Sequence, residues 1–155
     1  MTPETYREQL GGLVGNFHSL EFILRAYLQK SPGARPIGLP HGTDVYKFPV
    51  GTELPLSEIT SYDSLADLIN RFNKEMVRQS LPELDVTLVE VRDALAHGRV
   101  SGSSIDGHLR LLKFDRPKDG KVRVVFNEEL SVAWFKEQTK RVYSAIEIVA
   151  AQIAL

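Results

Sequence analysis

Residues 10–28 read LGGLVGNFHSLEFILRAYL and have the clearest helical pattern in the chain. Apolar side chains recur there every three or four residues, at Leu10, Leu13, Val14, Phe17, Leu20, Leu24, Tyr27 and Leu28. This spacing places them on one face of an α-helix, so we predict a first helix from Thr5 to Lys30. Gly11, Gly12 and Gly15 each weaken a helix by about 1 kcal/mol. They indicate either a later helix start or the close approach of another backbone.

Two more helices are predicted in the middle of the chain. Ser61 or Asp63 is the expected N-cap of the second helix, which ends near Ser80. Its apolar face consists of Leu65, Leu68, Ile69, Phe72 and Met76. Ser80 is then the expected N-cap of the third helix, because Pro82 suits the first turn and Glu83 completes a capping box. Gly98 is placed to end that helix just after His97.

The remaining segments predict one loop, one hairpin and one last helix. Residues 31–57 contain five prolines and four glycines, which predicts a long ordered loop inserted into the helical frame. The β-rich runs 109–114 and 122–126 flank Pro117-Lys118-Asp119-Gly120 and predict a β-hairpin. Asn127 or Ser131 is expected to cap a helix that runs to Leu155. The predicted fold is mainly α, a four-helix up-and-down bundle in a single domain (1–155), with the 109–126 hairpin inserted before the last helix.

The composition excludes several classes of function. The chain has 155 residues, no cysteine, and 19 basic against 20 acidic side chains. Disulfides, thiolate nucleophiles and cysteine zinc sites are therefore excluded, and a broad polycationic surface is not expected. His18, His41 and His108 are too scattered to suggest a metal site, so they are expected to be incidental and we expect neither metal nor cofactor. With no apolar run of roughly 20 residues and an acidic N-terminal stretch, we expect a cytoplasmic protein without membrane contact.

Two charged positions do not fit a solvated helix surface. Glu21 lies within the apolar stripe of the first helix, so its carboxylate is either at the edge of the core or paired with a buried donor. Arg92, Asp93 and His97 lie near the end of the third helix. Asp93 precedes His97 by one turn and is expected to hydrogen-bond the imidazole and fix its tautomer. Arg92 lies about 140° from His97 around the helix, so the two meet only if Arg92 reaches round or a second subunit supplies the partner.

The pairing of an arginine with a histidine permits two interpretations. A histidine exchanges protons near neutral pH, and a guanidinium binds phosphate through parallel hydrogen bonds. Together they suit the cleavage of a phosphodiester by an internal 2′-hydroxyl. The alternative is a helix C-terminal histidine beside an ordinary surface ion pair.

The stretch Arg92-Asp93-Ala94-Leu95-Ala96-His97 resembles the Arg, four to six residues, His motif of the HEPN superfamily (higher eukaryotes and prokaryotes nucleotide-binding domains). Its place near the end of the third of four helices is similar to the family's arrangement, as is the Glu-containing first helix. The resemblance implies a metal-independent endoribonuclease whose cleft forms at a homodimer interface, in a toxin–antitoxin or phage-defence setting. It implies proton transfer by His97, phosphate binding by Arg92 and orientation of the site by Asp93.

The same resemblance implies supporting roles and leaves other functions open. Arg99 is expected to add a phosphate contact, and Glu21 is expected to pair with Arg92. The implied partners are RNA, a second copy of the chain, and an antitoxin or nucleotidyltransferase. The tyrosine found two residues after the motif histidine in members modified by a nucleotidyltransferase is replaced here by Arg99. The alternatives are a non-catalytic HEPN dimer that binds RNA, nucleotides or a protein, and a purely structural helical protein.

Overall fold

The computed structural model describes residues 1–40, 42–102 and 108–153, with the side chain of Tyr46 excepted. Within these ranges the chain forms four α-helices, a single turn of 3₁₀ helix and one three-stranded antiparallel sheet of order β1-β2-β3. The elements are α1 Pro3–Lys30, the 3₁₀ turn Val45–Lys47, α2 Leu65–Gln79, α3 Leu88–His97, β1 Arg99–Gly102, β2 Leu109–Phe114, β3 Val124–Glu129 and α4 Val132–Ile153. The protein is therefore mainly α-helical. None of the helices in the described ranges is both long and apolar enough to cross a membrane.

Helix α1 runs unbroken through its three glycines. It begins at Pro3, and a Cβ added at Gly11, Gly12 or Gly15 would meet no heavy atom within 4 Å. Both expectations for these glycines, a late start and a close backbone, are therefore wrong. The apolar face of the helix is buried, at Leu13, Phe17, Leu20, Leu24 and Leu28. Burial of this face is worth several kcal/mol, which outweighs the low helix propensity of the glycines.

The N-cap of helix α2 differs from both predicted residues. Ser64 is the N-cap, and it forms a reciprocal capping box with Asp67. The prediction of Ser61 or Asp63 as the cap is wrong, because both bind arginines: the Ser61 hydroxyl accepts from Arg25 at 2.8 Å, and the Asp63 carboxylate accepts from Arg71 at 2.7 Å. The predicted apolar face is confirmed, with all five of its side chains buried.

Ser80 ends α2 and does not begin α3. Its φ of 55° is left-handed, and the Ser80 and Leu81 amides donate to the carbonyls of Val77 and Met76 at 3.2 and 2.9 Å. This pair of bonds is a Schellman motif, which closes the helix. The predicted start of α3 at Ser80 is therefore wrong.

A buried asparagine explains why the chain after α2 stays extended. The Asn73 amide accepts from the Leu84 N–H at 2.8 Å and donates to the Leu84 carbonyl at 2.9 Å. Both backbone groups of Leu84 are thus occupied before a helix can use them. Helix α3 begins only at Leu88, where the Thr87 N–H donates to the Asp85 carboxylate at 2.9 Å.

The loop before α2 is held by a charged cluster, the Glu58 cluster, consisting of Arg25, Arg35, Glu58, Asp63 and Arg71. The Glu58 side chain is 1% exposed and accepts from Arg71 at 2.7 Å and from the Arg35 backbone at 3.1 Å. Arg25 donates to the carbonyls of Glu58, Ser61 and Asp63 at 2.7–3.1 Å. A loop rich in proline and glycine is thus ordered by ionic contacts to α1 and α2.

The predicted hairpin is part of a three-stranded sheet. Strand β2 and the turn at Asp119-Gly120 are confirmed, and both turn residues have positive φ, 51° and 71°, as a type I′ turn requires. Strand β3 begins at Val124 and not at Val122, and its pairing with β2 shifts register between Lys113 and Phe114. Strand β1 was not predicted.

Helix α4 follows β3 almost directly. Of the two predicted caps, Ser131 is confirmed, since its hydroxyl accepts from the Trp134 N–H at 3.0 Å. Asn127 is wrong because it lies inside β3, opposite Leu112. The side chains of Phe135, Val142 and Val149 on the predicted stripe are buried, and residues 154–155 lie outside the described ranges.

The chain divides into two compact units, one of Met1–Leu20 and Asp85–Glu147 and the other of Glu21–Leu84 and Ile148–Leu155. In the first unit, Tyr6 packs edge-on against Phe135, with ring centroids 6.1 Å apart. In the second unit, Tyr27 packs in the same way against Phe72 at 4.9 Å. The first unit contains all of α3 and the sheet, and with them most of the predicted site residues.

Candidate functional site

The candidate site lies where α3 passes into β1 without an intervening loop. Gly98 separates the two elements, and its N–H donates to the Ala94 carbonyl at 2.7 Å. A Cβ on Gly98 would lie 2.3 Å from the Ala94 oxygen and 2.6 Å from Cδ1 of Leu111, so this position has no room for a side chain. The predicted end of α3 at Gly98 is confirmed. The geometry places His97 and Arg99 on either side of a tightly packed glycine.

Arg92 and Asp93 form an ion pair on the last turns of α3. Nη1 of Arg92 lies 3.5 Å from Oδ1 of Asp93, and the two side chains are 35% and 39% exposed. Oδ2 of Asp93 lies 3.5 Å from Nζ of Lys113 on β2. We expected Asp93 to bond His97, but its described contacts are with these two cations. The carboxylate is thus placed to orient the Arg92 guanidinium and to hold α3 against the sheet.

His97 and Arg99 are both exposed at the end of α3 and the start of β1. Because α3 is a regular helix, the five-residue spacing turns His97 about 140° from Arg92, so the two side chains project from different sides of the helix. The Arg99 guanidinium lies 5.4 Å above the ring of Phe114 on β2, a cation–π contact. One chain therefore exposes to solvent the His97 imidazole and, two residues later, the Arg99 guanidinium that is stacked on Phe114.

Arg92 lines a groove together with a histidine that the sequence analysis left without a role. The groove has a volume of about 190 Å³ and is lined by Val14, Phe17, His18, Arg92, Leu95 and Ala96. His18 is exposed and directly follows the buried Phe17 on α1. That position, one residue off the apolar stripe, was the only signal in the sequence that His18 borders a neighbouring helix. The groove combines an apolar floor with one guanidinium and one imidazole.

The other predicted residues are separate from this groove. Glu21 is half-buried on α1 and belongs to the second unit, whereas Arg92 belongs to the first, so their pairing stays a prediction. His108 is exposed and lies 2.9 Å from the Glu129 carboxylate. His41 lies outside the described residues. Among residues 1–40, 42–102 and 108–153, no group of three histidine, aspartate or glutamate side chains is arranged to hold a metal ion.

Comparison with known proteins adds no relative. No protein-family model matches the chain, and neither a curated protein nor a solved structure is significantly similar to it.

Proposed function

We propose that the protein is a metal-independent endoribonuclease of the HEPN type, in which Arg92 and His97 act on the phosphodiester. The observation that carries the proposal is the placement of these two residues on α3. Arg92 lines a groove whose other lining residues are mostly apolar, and His97 lies exposed where α3 turns into β1. A phosphate-binding cation and a proton-transfer group are thus accessible on one short helix.

Cleavage of RNA by its own 2′-hydroxyl requires two proton transfers and stabilisation of the charge on phosphorus. A base removes the proton of the ribose 2′-hydroxyl, and the 2′-oxygen attacks phosphorus. The bond to the 5′-oxygen breaks, and an acid protonates that oxygen, which leaves a 2′,3′-cyclic phosphate and a 5′-hydroxyl. His97 supplies proton transfer, and Arg92 neutralises the charge that builds up on the phosphoryl oxygens.

The spacing of Arg92 and His97 supports a site shared by two chains. Because the two side chains project from different sides of α3, one chain does not direct both at the same phosphorus atom. A second copy of the chain, placed with its α3 alongside the first, supplies the missing group. The proposal therefore includes a homodimer and a four-helix up-and-down bundle of the HEPN type, in a cytoplasmic toxin or phage-defence protein with an antitoxin or nucleotidyltransferase as partner.

Asp93, Arg99 and Glu21 have supporting roles in this proposal. The contact between Asp93 and Arg92 makes Asp93 a positioning residue for the guanidinium. Arg99, exposed beside His97, contributes a further phosphate contact. The role of Glu21 is the one that the resemblance implies, a pairing with Arg92.

A second function, a non-catalytic HEPN dimer that binds RNA, nucleotides or a protein, is favoured by one observation. The described contacts of Asp93 are with Arg92 and Lys113, which favours a role at these cations over one at the His97 imidazole. An imidazole without that orientation is a weaker general base. This function keeps the Arg92 groove as a binding site.

RNA cleavage in the presence of EDTA tests the proposal. End-labelled single-stranded and structured RNAs are incubated with the wild type and with His97→Ala, Arg92→Ala and His108→Ala. His108 is the matched control, because it is exposed and its described partner is Glu129. We expect His97→Ala and Arg92→Ala each to lower the cleavage rate at least about a hundredfold and His108→Ala to leave it unchanged. Cleavage that persists equally in His97→Ala overturns the proposal, and RNA binding without cleavage supports the second function.

A further inference from the structure

The hairpin formed by β2, β3 and their connection has a charge opposite to the rest of the chain. Residues 109–129, which span both strands and the connection, contain six basic and four acidic side chains, a net charge of +2 in a chain whose net charge is −1. The remaining residues therefore have a net charge of −3. A nearly neutral overall composition thus includes one element whose net charge is positive.

The positive charge is concentrated at the tip of the hairpin. Arg116, Lys118, Lys121 and Arg123 are all exposed there and line a shallow depression of about 760 Å³, together with Asp115, Asp119 and Val122. Lys118 and Lys121 face each other as a bridged pair beside the turn, with reciprocal backbone hydrogen bonds of 2.8 and 3.0 Å. Like charges directly opposite each other destabilise a hairpin. This arrangement suits the binding of a polyanion, because a bound polyanion reduces the repulsion between the two lysines.

Apolar and aromatic groups accompany these cations on the hairpin. Val122, Val124 and Val125 are exposed next to the basic tip. Farther from the tip, Arg99 is stacked on Phe114, and Nε of Arg110 donates to Asn127 at 3.1 Å. Arg99 and Asn127 both pair with Leu112, so the three side chains lie on one face of the sheet. Arg110 and Phe114 lie two residues before and after Leu112 on β2 and share that face. Alternating guanidinium, amide and aromatic groups suit single-stranded nucleic acid, whose bases stack and whose phosphates bind cations.

The sheet face that contains Arg99 and Phe114 lies next to the C-terminal end of α3. Strand β1 begins at Arg99, two residues after His97, and Arg99 pairs in register with Leu112 of β2. The line from the hairpin tip through Phe114 to Arg99 therefore ends beside the exposed imidazole. A strand bound along this line is delivered to the proposed site.

We propose that the β2–β3 hairpin is the RNA-binding arm of this protein, with the tip cations and Arg99 on the phosphates and the Phe114 ring against the bases. This inference rests on the proposed function for its choice of substrate. It adds where the substrate is bound and predicts binding that does not depend on cleavage.

Binding to an RNA that cannot be cleaved tests the arm. The probe is a fluorescent 2′-O-methyl oligouridine, whose blocked 2′-oxygen prevents attack on phosphorus, and binding is followed by anisotropy. The arm variant combines Arg116→Gln, Lys118→Gln, Lys121→Gln and Arg123→Gln. The matched control combines Lys30→Gln, Lys74→Gln, Lys136→Gln and Lys140→Gln, which removes the same charge from exposed helical positions. Thermal melting by circular dichroism shows that each variant is folded.

We expect the arm variant to weaken binding at least about thirtyfold at low salt and to lower the slope of log K against log salt by about three, while the control changes both only slightly. Equal weakening in the two variants overturns the arm, because it shows that total charge decides binding. Binding of vesicles containing anionic lipid in preference to the oligonucleotide overturns it as well. Wild-type RNA cleavage that the arm variant retains in full would contradict the arm but not the ribonuclease, whereas arm-dependent binding without cleavage would contradict the ribonuclease alone.

Discussion

Gly98 and Leu111 pack so closely that a Cβ on Gly98 would lie 2.6 Å from Cδ1 of Leu111. The same Cβ would lie 2.3 Å from the Ala94 carbonyl oxygen, a backbone atom that cannot move without distorting α3. Leu111 is itself buried. The glycine therefore joins helix and sheet at the candidate site by allowing their backbones to approach.

Gly98→Ala is expected to destabilise the protein by about 1–3 kcal/mol, because the added methyl group overpacks this junction. Chemical denaturation measures the free energy of unfolding. Gly102→Ala is the matched control, since a Cβ on Gly102 meets no atom within 4 Å and Gly102 is the last residue of the strand that Gly98 precedes. Equal stability of Gly98→Ala and the wild type would show that the junction adapts.

Ser80→Gly is expected to raise the free energy of unfolding by about 1 kcal/mol. Ser80 holds a left-handed φ of 55° at the end of α2, a conformation that costs a residue with a Cβ about that much. Ser80→Ala separates this effect from the loss of the hydroxyl, because alanine has the same backbone restriction as serine. A glycine variant no more stable than the alanine variant would contradict the interpretation.

The Glu58 cluster predicts a stability that falls in acid. The hydrogen bond from Arg71 holds the pKa of Glu58 below its ordinary value of 4.5, with further lowering by Arg35. The unfolded chain then binds the proton more readily than the folded chain, so stability is fully present above about pH 4.5 and is lost as the pH falls through the lower, folded pKa.

Glu58→Gln is expected to lower the free energy of unfolding by about 2–3 kcal/mol at neutral pH and to flatten its decline in acid. The value lies at the low end for a broken buried pair, since Arg35 and Arg71 are about a third exposed. Urea titrations between neutral pH and acid measure both effects. Glu53→Gln, an exposed change in the same loop, is the control, and an equal acid response in both variants would contradict the role of Glu58.

Features fixed by local chemistry could be predicted from the sequence. The apolar faces of α1 and α2, the Asp119-Gly120 turn and the end of α3 at Gly98 all follow from residues within a few positions of one another. The errors arise where distant residues compete for the same group. Asn73 occupies the backbone of Leu84 and keeps α3 from starting at Ser80. Strand β1 is exposed at all four residues, so it has no apolar alternation for a sequence pattern to detect.

The candidate site divides in the same way. The positions of Arg92 and His97 near the end of one helix were predictable, because both lie within α3. The contact of Asp93 with Lys113 was not, since it depends on how β2 packs against that helix. The place of His18 beside Arg92 depends on how α1 packs against α3, which no local pattern encodes.

Asp93→Asn separates two roles for this carboxylate. If Asp93 positions Arg92, as their 3.5 Å contact indicates, the variant loses about ten- to a hundredfold in kcat/KM for RNA cleavage without a change in the pH profile. A change in the pH profile would instead indicate that Asp93 acts through the proton-transfer group. Lys113→Ala is the control, since it removes the other described partner of Asp93 and leaves Arg92 in place.

His18→Ala is expected to raise KM for RNA several-fold with a smaller change in kcat. His18 lines the Arg92 groove from α1, so its imidazole contacts whatever the groove binds, whereas proton transfer is assigned to His97. Loss of binding that is equal in the ground state and the transition state changes KM and not kcat. His18→Gln keeps a hydrogen-bonding side chain of similar length and is expected to recover most of the affinity. A fall in kcat as large as that of His97→Ala would instead identify His18 as the second proton-transfer group, and a single chain would then contain a complete acid–base pair.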